Sequence, residues 1–209
     1  PGRRARGQRP RPQKGALRPG GRGDGGLDDG VRRPGARRVH GPGWPNWAYI
    51  QVFGGPDSDG GKWAQPLPHE VRCMTYIALV HRATGILYFS YWPKAPRTWD
   101  SIGPLNREIH RIVPWLVAAG TELEAQASAA HIHVRARKVG DGGIIIAVNT
   151  APTFAAAQIT VTGSLSFELA MPFACRPVTM NAGRFHDTFG PYEEKVYTWG
   201  REPVGRGSR

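Results

Sequence analysis

Trp47-Ala-Tyr-Ile-Gln-Val-Phe53 and Ile86-Leu-Tyr-Phe-Ser-Tyr-Trp92 decide how this chain reads. Each is a continuous apolar and aromatic run of strand length. Gly54-Gly55 closes the first and Pro93 the second. An alternating run would mark a strand with one wet face; a continuous run marks one covered on both faces, as in parallel α/β sheets. Between them, Pro68 and Glu70 mark a helix start. Val71 to Thr84 then reads as a largely buried helix carrying Val71, Met74, Ile77, Ala78 and Leu79-Val80, with Gly85 as its stop. After the second run a polar loop, Pro93 to Thr98, leads to Trp99, Ile102, Leu105, Ile109, Ile112, Val113 and Leu116 at steps of three and four. Pro104 fits a helix that begins near Ser101, and Pro114 is expected to kink or end it.

Strand, helix, strand, helix, with a long loop after each strand, is two successive βα units of a parallel sheet. In barrels of this class the loops leaving the strands build the site. The positions where chemistry is expected are therefore Gln51 to Gly55 and Ser90 to Trp92.

The later sequence changes period. His131-Ile-His-Val-Arg-Ala-Arg-Lys138 alternates, Val139-Gly-Asp-Gly-Gly143 is a hairpin turn, and Ile144-Ile-Ile-Ala-Val-Asn149 answers it. Ala157–Thr162, Leu165–Met171, Pro177–Met180 and Lys195–Trp199 are further short runs, as in an antiparallel sandwich.

Charge is uneven along the 209 residues. The net charge is +12, but residues 1–43 hold 12 of the 28 Lys/Arg and 3 of the 16 Asp/Glu, leaving +3 for the rest. Arg, Gly, Pro and Ala fill 32 of those 43 positions, and no aromatic precedes Trp44. Such a segment cannot bury enough apolar surface to offset its ordering entropy and reads as disordered. It lacks the stacking rings of a nucleic-acid arm. Its residues are those with the most GC-rich codons, so an inert tail or an out-of-frame stretch accounts for it. The resulting division is 1–43 as tail, 44–119 as a partial barrel, 120–199 as a β-sandwich, and 200–209 as a second disordered tail.

Other signals exclude more than they assign. Cys73 and Cys175 read as small buried hydrophobes, with no CxxC pair. No apolar run approaches a membrane span. His131 and His133 share a strand face but lack a third ligand near in sequence, so no metal site is expected. His69, His81, His110 and His186 stand alone. Ser90 lacks a nucleophile-elbow context. The glycine pairs lack a phosphate-loop Lys-Ser/Thr.

Trp47 to Gly55, Glu70-Val-Arg-Cys-Met-Thr-Tyr-Ile-Ala-Leu-Val-His81, Gly85-Ile-Leu-Tyr-Phe-Ser-Tyr-Trp92 and Leu105-Asn-Arg-Glu-Ile109 together resemble the seventh and eighth βα units of clan-A-like bacterial glycoside hydrolases. Gly183-Arg-Phe-His-Asp-Thr-Phe-Gly-Pro-Tyr192 with Val196-Tyr197 resembles the end of the β-sandwich appended to such barrels. The resemblance covers residues 44–199. It implies an α/β plus all-β chain: the last two βα units of a (β/α)₈ barrel, then a small antiparallel sandwich. It implies a parent enzyme that hydrolyses O-glycosyl bonds, oligo- or polysaccharide as the partner, and a secreted or periplasmic setting; from the residues themselves no cofactor or metal is expected.

Glycoside hydrolysis needs two carboxylates flanking the scissile bond. In the pattern this chain resembles they end the fourth and seventh strands. The fourth strand is absent here, and the seventh-strand position holds Gln51, which can hydrogen-bond sugar hydroxyls but serve neither as nucleophile nor as base. Asp57 and Asp59 in the next loop are weak catalytic candidates, with ordinary turn roles as the alternative. Tyr91 and Trp92 are candidate stacking floors for a sugar ring. Trp63, and with it Trp44, flanks the same cleft. Simple packing is the alternative for all of these rings. Three readings follow: an incomplete carbohydrate-active enzyme, inactive alone; a non-catalytic carbohydrate-binding relative, favoured by Gln51; and a nucleic-acid-binding protein, resting on the tail alone.

Overall fold

The structure is a computed structural model, and it describes residues 45–56, 62–89, 96–163, 166–174 and 176–203. The expectations for residues 1–43, and most of those for 200–209, lie outside them. β1 (Trp47–Gln51) leads through a two-stranded ribbon, β2 (Gly55–Pro56) and β3 (Lys62–Trp63), to α1 (Pro68–Val80) and β4 (Gly85–Phe89). α2 (Pro96–Asp100) and α3 (Ile102–Val117) follow. β1 and β4 pair in parallel, Trp47 beside Gly85 and Gln51 beside Phe89, as the two continuous runs predict.

Glu70 explains the start of α1: its carboxylate reaches back 2.7 Å to the Leu67 N–H, behind a proline at the first helical position. Val71, Tyr76, Leu79 and Val80 are buried, packing with Ile50 and Val52 of the strand segment. The helix ends earlier than Gly85. His81 caps it and Arg82 takes the left-handed turn at φ 65. Gly85 instead opens β4, where an added Cβ would lie 2.8 Å from the Trp47 indole. Pro114 does not end α3, which continues to Val117. Only one N–H is lost there, in a last turn whose remaining bonds hold.

The strand pair departs from expectation in one respect. Ile50 and Val52 are buried against the helices, but the opposite face is open. Trp47 is 55%, Tyr49 71% and Phe89 57% exposed, with Leu87 beside them. The side chains are apolar enough for a covered face, yet nothing described in this chain covers it.

The rest is antiparallel. β5 (Thr121–Leu123), β6 (Ala125–Ala127), β7 (Ile132–Val139), β8 (Gly142–Asn149), β9 (Ala155–Val161), β10 (Phe167–Leu169), β11 (Val178–Met180), β12 (Arg184–Phe189) and β13 (Glu194–Trp199) complete the chain. One sheet has the order β13-β8-β7-β5 and another β12-β9-β6, while β10 and β11 pair separately. β5, β6 and β12 were not among the expected runs. In β12 the alternation Phe185, Asp187, Phe189 faces inward, and the carboxylate at its centre disguises it.

β8 is buried along its whole length. Ile144, Ile146 and Val148 join the cluster formed by α1, α3 and the parallel strands. Ile145 and Ala147 join the cluster between the two sheets, with Ile159, Phe185, Phe189 and Tyr197. Gly143 is required by this packing: a Cβ there would fall 2.1 Å from the Trp199 ring and 2.5 Å from the Arg137 carbonyl.

Candidate functional site

The outgoing ends of β1 and β4 lie together. Gln51 stands beside Phe89, and the Val52 N–H donates to the Phe89 carbonyl at 2.7 Å. The Gln51 amide nitrogen donates to the carbonyls of Phe53 (2.8 Å) and Ala64 (2.9 Å). Both its hydrogens are thus spent on bracing the loop, and only Oε1 remains to meet a ligand. Gln65 mirrors it, donating to the Val52 carbonyl at 3.1 Å, while its own Oε1 is buried without a partner. Gly54 permits this approach, since a Cβ there would sit 2.7 Å from the Gln65 backbone nitrogen.

Three rings gather at this end. Phe53 lies 5.3 Å from Trp63 and packs edge-on against Phe89 at 5.5 Å. Trp63 and Phe89 keep about half their surface in solvent. A rigid ring held by a neighbour and open on one side suits a flat apolar ligand face at little entropic cost. The sequence singled out Trp63. Phe53 falls within the expected stretch Gln51 to Gly55, whereas Phe89 escapes it, because its place within a continuous run reads only as core. Asp57, Asp59, Tyr91, Trp92 and Trp44 lie outside the described residues. Among the described residues, no pair of carboxylates faces this end of the strands.

Ionised groups concentrate elsewhere. Arg72 of α1 bonds both Glu108 of α3 and Glu194 of β13, and the Tyr76 hydroxyl donates to Glu108 at 2.7 Å. Burial pushes the Glu194 carboxyl up despite that arginine. Glu122 of β5 accepts from Arg135 (2.7 Å) and pairs with Arg137 (3.3 Å). Burial pushes the Glu122 carboxyl up, but the arginines outweigh it and hold it below its ordinary value. Arg137 also caps α3 through the carbonyls of Trp115 (2.7 Å) and Ala118 (2.6 Å). On the β sheets, a shallow cavity of about 730 Å³ is lined by Ser128, Gln158, Arg176, His186, Asp187 and Lys195. Asp187 there is fully partnered by Arg176, Lys195, the Tyr197 hydroxyl and the Thr188 N–H. These networks fasten elements together: Arg72 ties α1 to α3 and β13, and Arg135 and Arg137 tie β7 to β5 and to the helix ends.

His81 does not stand alone. Its Nε2 lies 3.0 Å from Nδ1 of His133. His131 takes no part in that pair, and its Nε2 is buried without a partner. Cys73 is buried, as expected, while Cys175 lies outside the described residues. No described helix is long and apolar enough to cross a membrane.

No protein-family model matches the chain. No curated protein matches it either. Solved structures do. An α-amylase from Geobacillus thermoleovorans, complexed with acarbose, is 10% identical, covering 75% of this chain and 39% of that one at a TM-score of 0.51. A proposed α-N-acetylgalactosaminidase from Bacillus halodurans is 11% identical, covering 72% and 37% at 0.50. A GH30 endoxylanase from Clostridium papyrosolvens is 13% identical, covering 74% and 42% at 0.45. The chain therefore spans about two-fifths of the length of the structures it matches. At such identities the likeness is one of fold, and the fold of this chain, mixed helix and sheet with antiparallel sheets, is like that of TIM-barrel glycoside hydrolases.

Proposed function

We propose that this chain is the C-terminal part of a carbohydrate-active protein, contributing the last two βα units of a (β/α)₈ barrel (residues 44–119) and an appended β-sandwich (120–199). The observation that carries this reading is the parallel pair β1–β4, apolar on its open face and ringed with aromatics at its outgoing end. An open apolar face on parallel strands is what the interior of a barrel looks like when its other strands are supplied elsewhere. The strand ends are then the sugar site. Trp63, with Tyr91 and Trp92, provides stacking surface, and Gln51 offers its Oε1 to a hydroxyl. Asp57 and Asp59 are the carboxylates nearest in sequence. The similar α-amylase structure complexed with acarbose supports carbohydrate as the ligand class.

A second reading is favoured by Gln51. A braced amide where the resembled pattern has a nucleophile suits a protein that binds sugar without cleaving it. Tryptophan fluorescence titration with maltotriose, xylotriose and arabinose tests the site. Saturable quenching that Trp63→Ala removes supports it; no response to any sugar, or an unchanged response in Trp63→Ala, refutes it. Restoring the upstream barrel strands and assaying aryl glycosides then separates the two readings. Turnover identifies an enzyme, and binding without turnover identifies the non-catalytic relative.

A further inference from the structure

We propose that His81 and His133 form a binding site for an imidazole-preferring divalent metal ion, of the Zn²⁺ or Cu²⁺ class. The inference is independent of the sugar site, which lies at the other end of α1. His81 caps the C-terminus of α1, and His133 is the second residue of β7, 52 positions along the chain. Their facing nitrogens are 3.0 Å apart, with ring centroids 5.1 Å apart and planes inclined at 69°.

Two facing imidazole nitrogens share one proton, since one must donate and the other accept. A metal ion takes its place. The proton moves to the far nitrogen of the same ring, and both facing lone pairs become ligands. Two Zn–N bonds at a tetrahedral angle set their nitrogens roughly 3.3–3.4 Å apart, so the rings need to part by only a few tenths of an ångström. His81 is exposed at a helix end and can make that movement without disturbing the core.

The charged groups nearby, Arg82 beside His81 and Arg135 on the strand of His133, turn towards Glu122, and Arg135 also donates to the Leu79 carbonyl. Their charge is thereby partly neutralised, and Glu122 is fully occupied. Among the described residues no third histidine, cysteine or carboxylate joins the pair. The other coordination positions fall to water, giving an open site that clips a helix end to a sheet.

The test adds Zn²⁺ or Cu²⁺ alone to the full chain. One equivalent should bind, and the melting temperature should rise by roughly 5–10 °C at a hundredfold excess over Kd. His81→Ala should weaken binding at least tenfold and abolish the shift, while His110→Ala, exposed on α3, should keep both. The Cu²⁺ electron paramagnetic resonance spectrum should show coupling to two nitrogens in the native chain and fewer in His81→Ala. Should His133→Ala not fold, the exposed His81→Ala variant still decides. The absence of a rise in melting temperature, or full binding by His81→Ala, overturns the proposal.

Discussion

Arg135 reaches from β7 to the carbonyl oxygen of Leu79, 2.8 Å away, in the last turn of α1. A strand side chain therefore supplies one of the partners that a helix C-terminus lacks. The same guanidinium holds Glu122 through two further bonds. Arg135→Ala removes both functions at a nearly buried position and should cost about 2–4 kcal/mol in urea unfolding. Arg135→Lys, with one compact charge in place of a fork, should recover only part of it.

Asp187 predicts a pH dependence. Burial pushes its carboxyl up, but bonds from Arg176, Tyr197 and the Thr188 N–H, with the charge of Lys195, hold it below its ordinary value. A depressed folded-state value means the carboxylate stabilises the fold above the ordinary aspartate range, and this stabilisation is lost as pH falls through the depressed value. Asp187→Asn should therefore be clearly less stable than the native chain at pH 7. The gap should narrow under strongly acid conditions. A gap that stays constant from neutral to acid pH would show that shape, not charge, matters at this position.

Cys73 is expected to be inert. Burial, with Glu194 and Glu70 nearby, pushes its thiol up to about 11, and its Sγ lies 3.6 Å from the Asn149 carbonyl. In a Cys175→Ser background, alkylation at pH 8 should proceed only as fast as the protein opens. Rapid labelling of the folded protein would contradict this packing.

Two parallel strands with an open apolar face do not make a barrel cleft. The purified chain should accordingly show no hydrolysis of aryl glycosides. Measurable turnover by the purified chain would overturn this prediction, and its loss in Asp57→Asn or Asp59→Asn would place the chemistry on that carboxylate.

The sequence discloses the parallel pair because apolar continuity is a local property, and Trp47–Phe53 and Ile86–Trp92 carry it in full. It does not disclose that Tyr49 and Phe89 are open, because a pattern records what a face is fit to bury and not what buries it. Glu70 announces the start of α1 from its spacing to Pro68 and Leu67. Arg135 and Arg137, alternating with inward residues, read as a wet face, yet they turn their guanidinium groups onto helix carbonyls. The His81–His133 contact joins residues 52 apart, and no spacing rule reaches that far. At the strand ends, Gln51 and Trp63 were legible by position; Gln65 was not, since its bond to Val52 depends on a loop closing at Gly54.

β8 gives alternate residues to two cores, Ile144, Ile146 and Val148 to one and Ile145 and Ala147 to the other. A strand used in this way is a party wall. Cutting the polypeptide near residue 120 would strip one side of it bare, so neither piece should survive as a freely exchangeable module. Heat or urea should dismantle both sides in a single step, and any ancestral shuffling of this sheet must have carried its helices along.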